Sequence, residues 1–76
     1  AEGLNTFRLK APESLVGKDL ASSGIRKLTE CSIVAIREDG EMTINPDPEA
    51  TIRQGAELIL IGTDEGKRKF LQAFEA

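Results

Sequence analysis

Two prolines one residue apart, Pro46 and Pro48, stand between two apolar runs, and no other feature of this chain restricts its folding as much. Upstream, Cys31-Ser32-Ile33-Val34-Ala35-Ile36 is apolar except for one serine; downstream, Leu58-Ile59-Leu60-Ile61 is wholly apolar. Each proline fixes its own φ and has no N–H to give to a ladder. The residue before each proline is pushed toward extended backbone. Asn45-Pro46-Asp47-Pro48 therefore reads as a stiff, extended corner that is excluded from the interior of a sheet. The chain leaves one strand position there and returns to another, with no pairing in between.

The flanking segments supply the other elements. Asn5 to Lys10 alternates, with Phe7 and Leu9 on one side and Thr6, Arg8 and Lys10 on the other, the pattern of a half-buried strand that Pro12 ends. Leu15-Val16-Gly17-Lys18 is a turn with an apolar anchor. Asp19 to Glu30 is weakly helical, because Ser22, Ser23 and Gly24 interrupt it. One turn after Asp19 and a short helix from Ile25 to Thr29 are expected, with Ser22 or Ser23 as the cap. Cys31 to Ile36 suits a strand covered on both faces. For the hairpin that follows, a two-residue Asp39-Gly40 turn would set Arg37 opposite Met42. A three-residue turn over Glu38-Asp39-Gly40 sets Ile36 opposite Met42, Val34 opposite Ile44 and Arg37 opposite Glu41, and these pairings favour it. Thr51 and Ile52 resume a short β segment, Gln54-Gly55 turns the chain, and Glu57 to Gly62 is a buried strand. Thr63 caps a last helix, with Asp64 and Glu65 in its first turn and Phe70, Leu71 and Phe74 as its apolar stripe. The order is β-α-β-β-β-β-α, a small α+β domain with a mainly antiparallel sheet.

A 76-residue chain makes one domain and buries only about 60% of the surface its unfolded form exposes. The core is thin, and no staple relieves it: there is one cysteine, no histidine, and no Cys/His spacing for a metal. Such a domain gains burial from a partner chain, so self-association is expected. The net charge of −3 comes from interspersed acidic and basic residues, without a basic block or an aromatic platform, which argues against nucleic-acid binding. The longest apolar run is far too short to cross a bilayer. The single cysteine fits a reducing compartment. The chain opens at Ala1 rather than methionine, and residues 1–4 read as linker ahead of a domain at 5–76, so a piece of a longer protein is expected.

Chemistry-bearing residues are few. Cys31 has no base beside it, and its neighbour Glu30 is a carboxylate that would not activate a thiol; it reads as a small core residue. Glu38, Asp39, Glu41, Asp47 and Glu49 fall in turns or exposed arms and read as solvated charge. Asn45, Asp47 and Glu49 alternate as oxygen ligands for a hard cation would, yet turn capping accounts for them as well. Gly17-Lys18 lacks the rest of a phosphate loop. Lys67-Arg68-Lys69 is a solvated helix face. No catalytic residue, metal site or cofactor is expected, and the chain does not read as an enzyme. Arg26 stands out: it follows Ile25 at a break in the helical region, close to the buried strand, where a guanidinium can grip a phosphate or carboxylate in two-point fashion. Its plainer reading is a surface arginine paired with Glu30.

Leu15-Val16-Gly17-Lys18-Asp19-Leu20, then Ile25-Arg26, Ile33-Val34-Ala35-Ile36-Arg37, Pro46, Ile52, Gly55 and Leu58-Ile59-Leu60-Ile61-Gly62 form an ordered set. It resembles the RCK C-terminal domain, also called the TrkA C-terminal domain, from about Phe7 to Phe74. The run IREDGEMTINPDP is most similar to members fused to bacterial or archaeal potassium channels. Two positions depart from the pattern. Ala56 stands where the family usually has Asp, and Ser32 where a ligand-binding member can carry a side-chain amide. The resemblance implies a domain on the cytoplasmic face of the membrane, downstream of a nucleotide-binding domain and a membrane pore. It implies a homodimer that regulates a potassium channel or transporter, and a small anionic effector such as cyclic di-AMP in the cleft between the two copies. The implied contacts are Ile25, Arg26, Ser32, Ile33, Asn45 and Pro46, with Arg26 facing a phosphate and the apolar residues against the bases. The alternatives are a purely structural dimerisation module of a gating ring, or the regulatory domain of another cation or anion transporter.

Overall fold

The alternating segment Asn5–Lys10 forms β1, and the apolar run Glu57–Gly62 forms β4, its antiparallel neighbour; Phe7 lies opposite Leu60 and Leu9 opposite Leu58. β2 (Ser32–Glu38) pairs with the other side of β4, and β3 (Glu41–Ile44) closes the sheet in the order β1-β4-β2-β3, antiparallel throughout. Two helices complete the α+β domain: α1 (Ile25–Thr29) and α2 (Asp64–Phe74). The computed structural model describes residues 3–75; the expected linker residues Ala1 and Glu2 and the last domain residue Ala76 lie outside the described residues.

One face of the sheet carries the core. Ile36, Leu58 and Leu60 pack with Leu15, Ile25, Ile52, Phe70 and Phe74, and Phe7, Leu9 and Ile33 close the edges. Phe70 and Phe74 meet at a tilt of 54° with ring centroids 5.0 Å apart, and Lys67 Nζ lies 5.5 Å from the centroid of the Phe7 ring. Leu71, expected in the same stripe, is instead exposed. Thr63 caps α2 by accepting the Gly66 amide at 3.0 Å, as its sequence position predicts. On the other sheet face Ala35 and its β4 partner Ile59 are buried. Ile44, at the β3 edge of that face, is 64% exposed, so the cover on both faces expected for the 31–36 strand is met at Ala35 and Ile36 and gives out toward β3. Arg8, directly opposite Ile59, and Arg37 both reach Glu57 at 3.7 Å across that face.

The hairpin takes the two-residue turn, not the favoured three-residue one. Asp39 (φ 50°) and Gly40 (φ 80°) both adopt left-handed backbone, and Arg37 faces Met42 while Glu38 faces Glu41. Such a turn matches the right-handed twist of the strands. The charge pairing that favoured the other register is met elsewhere, since Arg37 pairs with Glu57 on β4 and Glu38 with Arg53. A register shift between Ile33 and Ala35 marks a bulge at Val34, whose carbonyl accepts the Asn45 amide at 2.8 Å. Asn45 itself is left-handed (φ 52°) rather than extended, a conformation asparagine tolerates.

Beyond the prolines, the expected β segment at Thr51-Ile52 is a single bridge from Thr51 to Asp19. It belongs to a small ladder outside the main sheet. Gly17 N donates to Ile52 O and Ile52 N to Lys18 O, both at 2.8 Å; Leu20 N donates to Ala50 O at 3.1 Å and Ala21 N to Pro48 O at 2.8 Å. The corner thus returns to pair with the segment ahead of α1, and Pro48 takes part only as an acceptor.

Candidate functional site

That ladder places the turn ahead of α1 beside the proline corner. Asp19 accepts the Ser22 amide at 3.1 Å and the Ser22 hydroxyl, which fixes the turn expected after Asp19. These two hydrogen bonds, hydroxyl first, hold the Asp19 carboxyl below its ordinary pKa. Ser23 donates its hydroxyl to Leu20 O at 2.8 Å, and Ser23 Oγ accepts the Ile25 amide at 3.3 Å, so Ser23 serves the start of α1, although Gly24 (φ 84°) is the capping residue. α1 stops after one turn because Glu30 turns left-handed (φ 62°) and Thr29, fully buried, donates to Ile25 O and accepts from Cys31 N. The chain then enters β2 at Ser32.

Between these pieces lies a cleft of about 600 Å³. Leu20, Ala21 and Ser22 form one wall; Gly24, Ile25, Arg26 and Lys27 the second; Ser32 and Ile33 the floor; and Pro46 and Pro48 the far side. Five of the six residues singled out in the sequence, Ile25, Arg26, Ser32, Ile33 and Pro46, line this one cavity. Asn45 does not line it; its amide is committed to Val34 O and its left-handed backbone turns the chain into the corner. The expected pairing of Arg26 with Glu30 is not formed. Glu30 is held to Arg26 through backbone alone, its N–H bonding the Arg26 carbonyl. Among the described residues neither Arg26 nor Lys27 joins an ion pair, and they are the only charged side chains lining the cleft.

The arrangement suits binding: an apolar slot with two cations and two hydroxyls, of which the Ser22 hydroxyl is already given to Asp19. Cys31 is fully buried, behind the floor rather than in the cleft. Asp47 Oδ1 accepts the Glu49 amide at 3.0 Å, the turn capping that accounts for this run. Sequence reasoning did not place the wall from Leu20 to Ser22, Pro48 or Lys27 among the site residues. The wall and Pro48 depend on a pairing between segments about thirty residues apart, which no local pattern announces. Lys27 follows Arg26 directly, and that adjacency is the one local signal that could have found it.

A second cavity, of about 580 Å³, lies between the end of β1 and the end of α2, lined by Lys10, Glu13, Ser14 and Phe74 among others. Ser14 donates to Phe74 O at 2.8 Å there and ties the helix end down, a structural role. Among the described residues no helix is long and apolar enough to cross a membrane.

Comparison with known proteins bears on the family and the fold. The TrkA-C domain family model matches residues 5–75. The "Probable potassium channel protein 2" of Methanocaldococcus jannaschii is 34% identical over 62 residues, which are 82% of this chain and 18% of that protein. The GsuK channel bound to NAD superposes with a TM-score of 0.85 at 43% identity, over 92% of this chain and 13% of that one. The RCK C domain of the potassium transport protein KtrA, in complex with cyclic di-AMP, superposes with a TM-score of 0.86 at 30% identity, over 93% of this chain and 84% of that one. The chain therefore spans less than a fifth of the channel proteins it matches, and most of the isolated KtrA domain. Matched from residue 5 to residue 75 and folded as these relatives fold, the chain belongs to the TrkA-C domain family, the RCK C-terminal domains.

Proposed function

We propose that this domain regulates a potassium channel or transporter from the cytoplasmic face of the membrane. It works as a two-fold pair whose shared cleft takes a small anionic effector of the cyclic dinucleotide class. The observation that carries the reading is the convergence of Ile25, Arg26, Ser32, Ile33 and Pro46 on one cavity in which Arg26 has no protein carboxylate to neutralise it. The KtrA domain, which holds cyclic di-AMP, supports the ligand class. Exposed apolar side chains support the pair: Leu28 and Ile44 are each more than half exposed, on a domain whose core is small.

The sheet offers a short mechanical route. Ser32, on the cleft floor, lies opposite Ile61 of β4, and Ile61 lies opposite Thr6 of β1. Two strand spacings, about 10 Å, thus separate the cleft from the strand through which the preceding chain enters. Asn5 fastens that entry to α2 through Asp64 Oδ1 at 3.1 Å. An effector that binds one geometry of the pair more tightly shifts the population toward it, and β1 passes the change to the upstream nucleotide-binding domain and pore.

The test combines sedimentation, to read the oligomeric state, with calorimetric titration of cyclic di-AMP. Concentration-dependent dimerisation and saturable binding abolished by Arg26→Ala are expected. A monomer at all concentrations, or no heat with any dinucleotide, refutes the sensor reading. A stable dimer without ligand would favour an assembly-only module, the reading that Ser32 supports by placing a short hydroxyl where a ligand-binding member can carry an amide.

A further inference from the structure

The sensor reading leaves one cleft residue without a task. Lys27 follows Arg26 on α1 and lines the same cavity, and among the described residues it has no ion-pair partner. No carboxylate lines the cleft to compensate it: the floor is Ser32 and Ile33, the far side Pro46 and Pro48. Asp19 and Asp47 are not among the lining residues; Asp19 accepts from Ser22 and Asp47 from the Glu49 amide, and neither pairs with Arg26 or Lys27. Each protomer therefore offers an anion two positive charges.

A phosphodiester carries one negative charge, and a two-point contact from Arg26 alone satisfies it. A terminal phosphate monoester carries roughly 1.5 to 2 negative charges at neutral pH. The charge of the cleft matches the second group rather than the first. Accepting the cleft as a ligand site, as the proposed function does, we propose that Lys27 is a second phosphate-contacting residue and that it tunes the cleft toward nucleotides bearing a terminal phosphate monoester over purely diester cyclic ones. Arg26 supplies the planar two-point grip and Lys27 a mobile point charge on the added oxygen. The apolar walls take the base in either case.

The experiment titrates two probes of the same bases into the 76-residue chain: cyclic di-AMP, which has diesters only, and its ring-opened form pApA, which has one diester and one terminal monoester. Unaltered chain is compared with Lys27→Gln and Lys27→Arg. Because Lys27 is solvent-exposed, the expected preference for pApA is modest, roughly five- to tenfold. Lys27→Gln is expected to erase that preference and leave cyclic di-AMP affinity within about twofold, whereas Lys27→Arg retains the preference. The preference should also shrink below about pH 6, where the monoester takes up a proton and the diester does not. Cyclic di-AMP binding that equals or exceeds pApA binding, with Lys27→Gln changing neither, overturns this inference and leaves the sensor reading standing. Failure of both probes to bind any of the three chains overturns the sensor reading itself and this inference with it. Thermal melting of each variant, expected to match the unaltered chain, separates lost contact from lost fold.

Discussion

The junction between α1 and β2 rests on three small groups, and their packing makes a prediction that ordinary propensity would get wrong. Gly62 in β4 and Gly66 in α2 both abut Cys31. A Cβ added at Gly62 would lie 2.7 Å from the Cys31 sulfur, and one at Gly66 would lie 2.9 Å from the Thr29 carbonyl oxygen and 3.0 Å from that sulfur. Neither glycine has a positive φ, so conformational freedom is not the reason for either. By propensity alone, alanine should stabilise the strand by roughly 0.5–1 kcal/mol and the helix by about 1 kcal/mol. Overpacking costs roughly 1–3 kcal/mol. Contacts under 3.0 Å with a fully buried sulfur and with backbone place both sites toward the upper part of that range. The net expectation is a loss of about 1–2 kcal/mol for each variant.

The two clashes differ in what can relieve them. At Gly62 the sulfur is the one atom that a new Cβ would meet inside 3.0 Å, and Cys31 Cβ at 3.4 Å is an ordinary contact, so Cys31→Ala should let the new methyl take the sulfur's place. Cys31→Ala alone should cost about 1 kcal/mol for the lost buried group. The Gly62→Ala/Cys31→Ala pair should then lie near the unaltered chain, a favourable coupling of about 1 kcal/mol or more. That exceeds the scatter of roughly 0.3–0.5 kcal/mol between independent sites. At Gly66 the Thr29 carbonyl remains in the way, so the same partner substitution should give little rescue. Urea unfolding at fixed protein concentration reads both cycles; with a slope of roughly 1 kcal/mol/M, the single variants should move the midpoint by about 1–2 M. Additive Gly62 and Cys31 effects, or equal rescue at both glycines, would refute the packing argument. Because Thr29 follows Ile25 and Arg26 on the same helical turn, Gly66→Ala should also weaken effector binding more than Gly62→Ala/Cys31→Ala does.

The hairpin turn supplies a second test: Asp39→Asn should raise the melting temperature slightly, because asparagine accepts the left-handed backbone more readily, while Gly40→Ala should lower stability by about 1 kcal/mol. Thr63→Ala should cost about 1 kcal/mol by freeing the Gly66 amide, and Thr63→Ser should restore most of it in the same thermal assay. Asp19 gives a pH dependence with a fixed sign. Its folded pKa is lowered from the ordinary 3.8 by hydrogen bonds from the Ser22 hydroxyl and amide, so its contribution is present above that value and is lost as pH falls through the lower folded one. Urea midpoints between about pH 5 and about pH 2 should therefore fall less for Asp19→Asn than for the unaltered chain; equal falls would remove Asp19 from the acid response.

The elements legible in the sequence were those with a strong local signal. β1 was carried by its alternation, β4 by its apolar run, and α2 by Thr63 and by Phe70 with Phe74. Cys31 was read as core and is core. The hairpin register was misread because the Arg37–Glu41 pairing was weighed within the hairpin alone, while the structure offers Arg37 a partner on β4. Two left-handed residues in succession satisfied the strand twist without help from that pair. The lining of the cleft was legible where it is local, at Ile25-Arg26 and Ser32-Ile33, and not where it needs the Gly17–Ala21 segment to meet Pro48–Ile52.

That meeting explains why the corner needs two prolines rather than one flexible turn. β3 is an edge strand, with its outer ladder open beyond β2. A continuation of β3 past Ile44 with free amides would lengthen that edge and invite pairing with another chain. Left-handed Asn45 stops the strand, and Pro46 and Pro48 withhold two donors from any further ladder. What remains to the corner is acceptance, and Pro48 O uses it to hold Ala21 N, which brings the Leu20–Ser22 wall across from the proline rings. The same substitution of rings for donors thus ends the sheet and builds the apolar side of the cleft. Arg26 and Lys27, which have no carboxylate opposite them, are thereby left facing an open apolar slot.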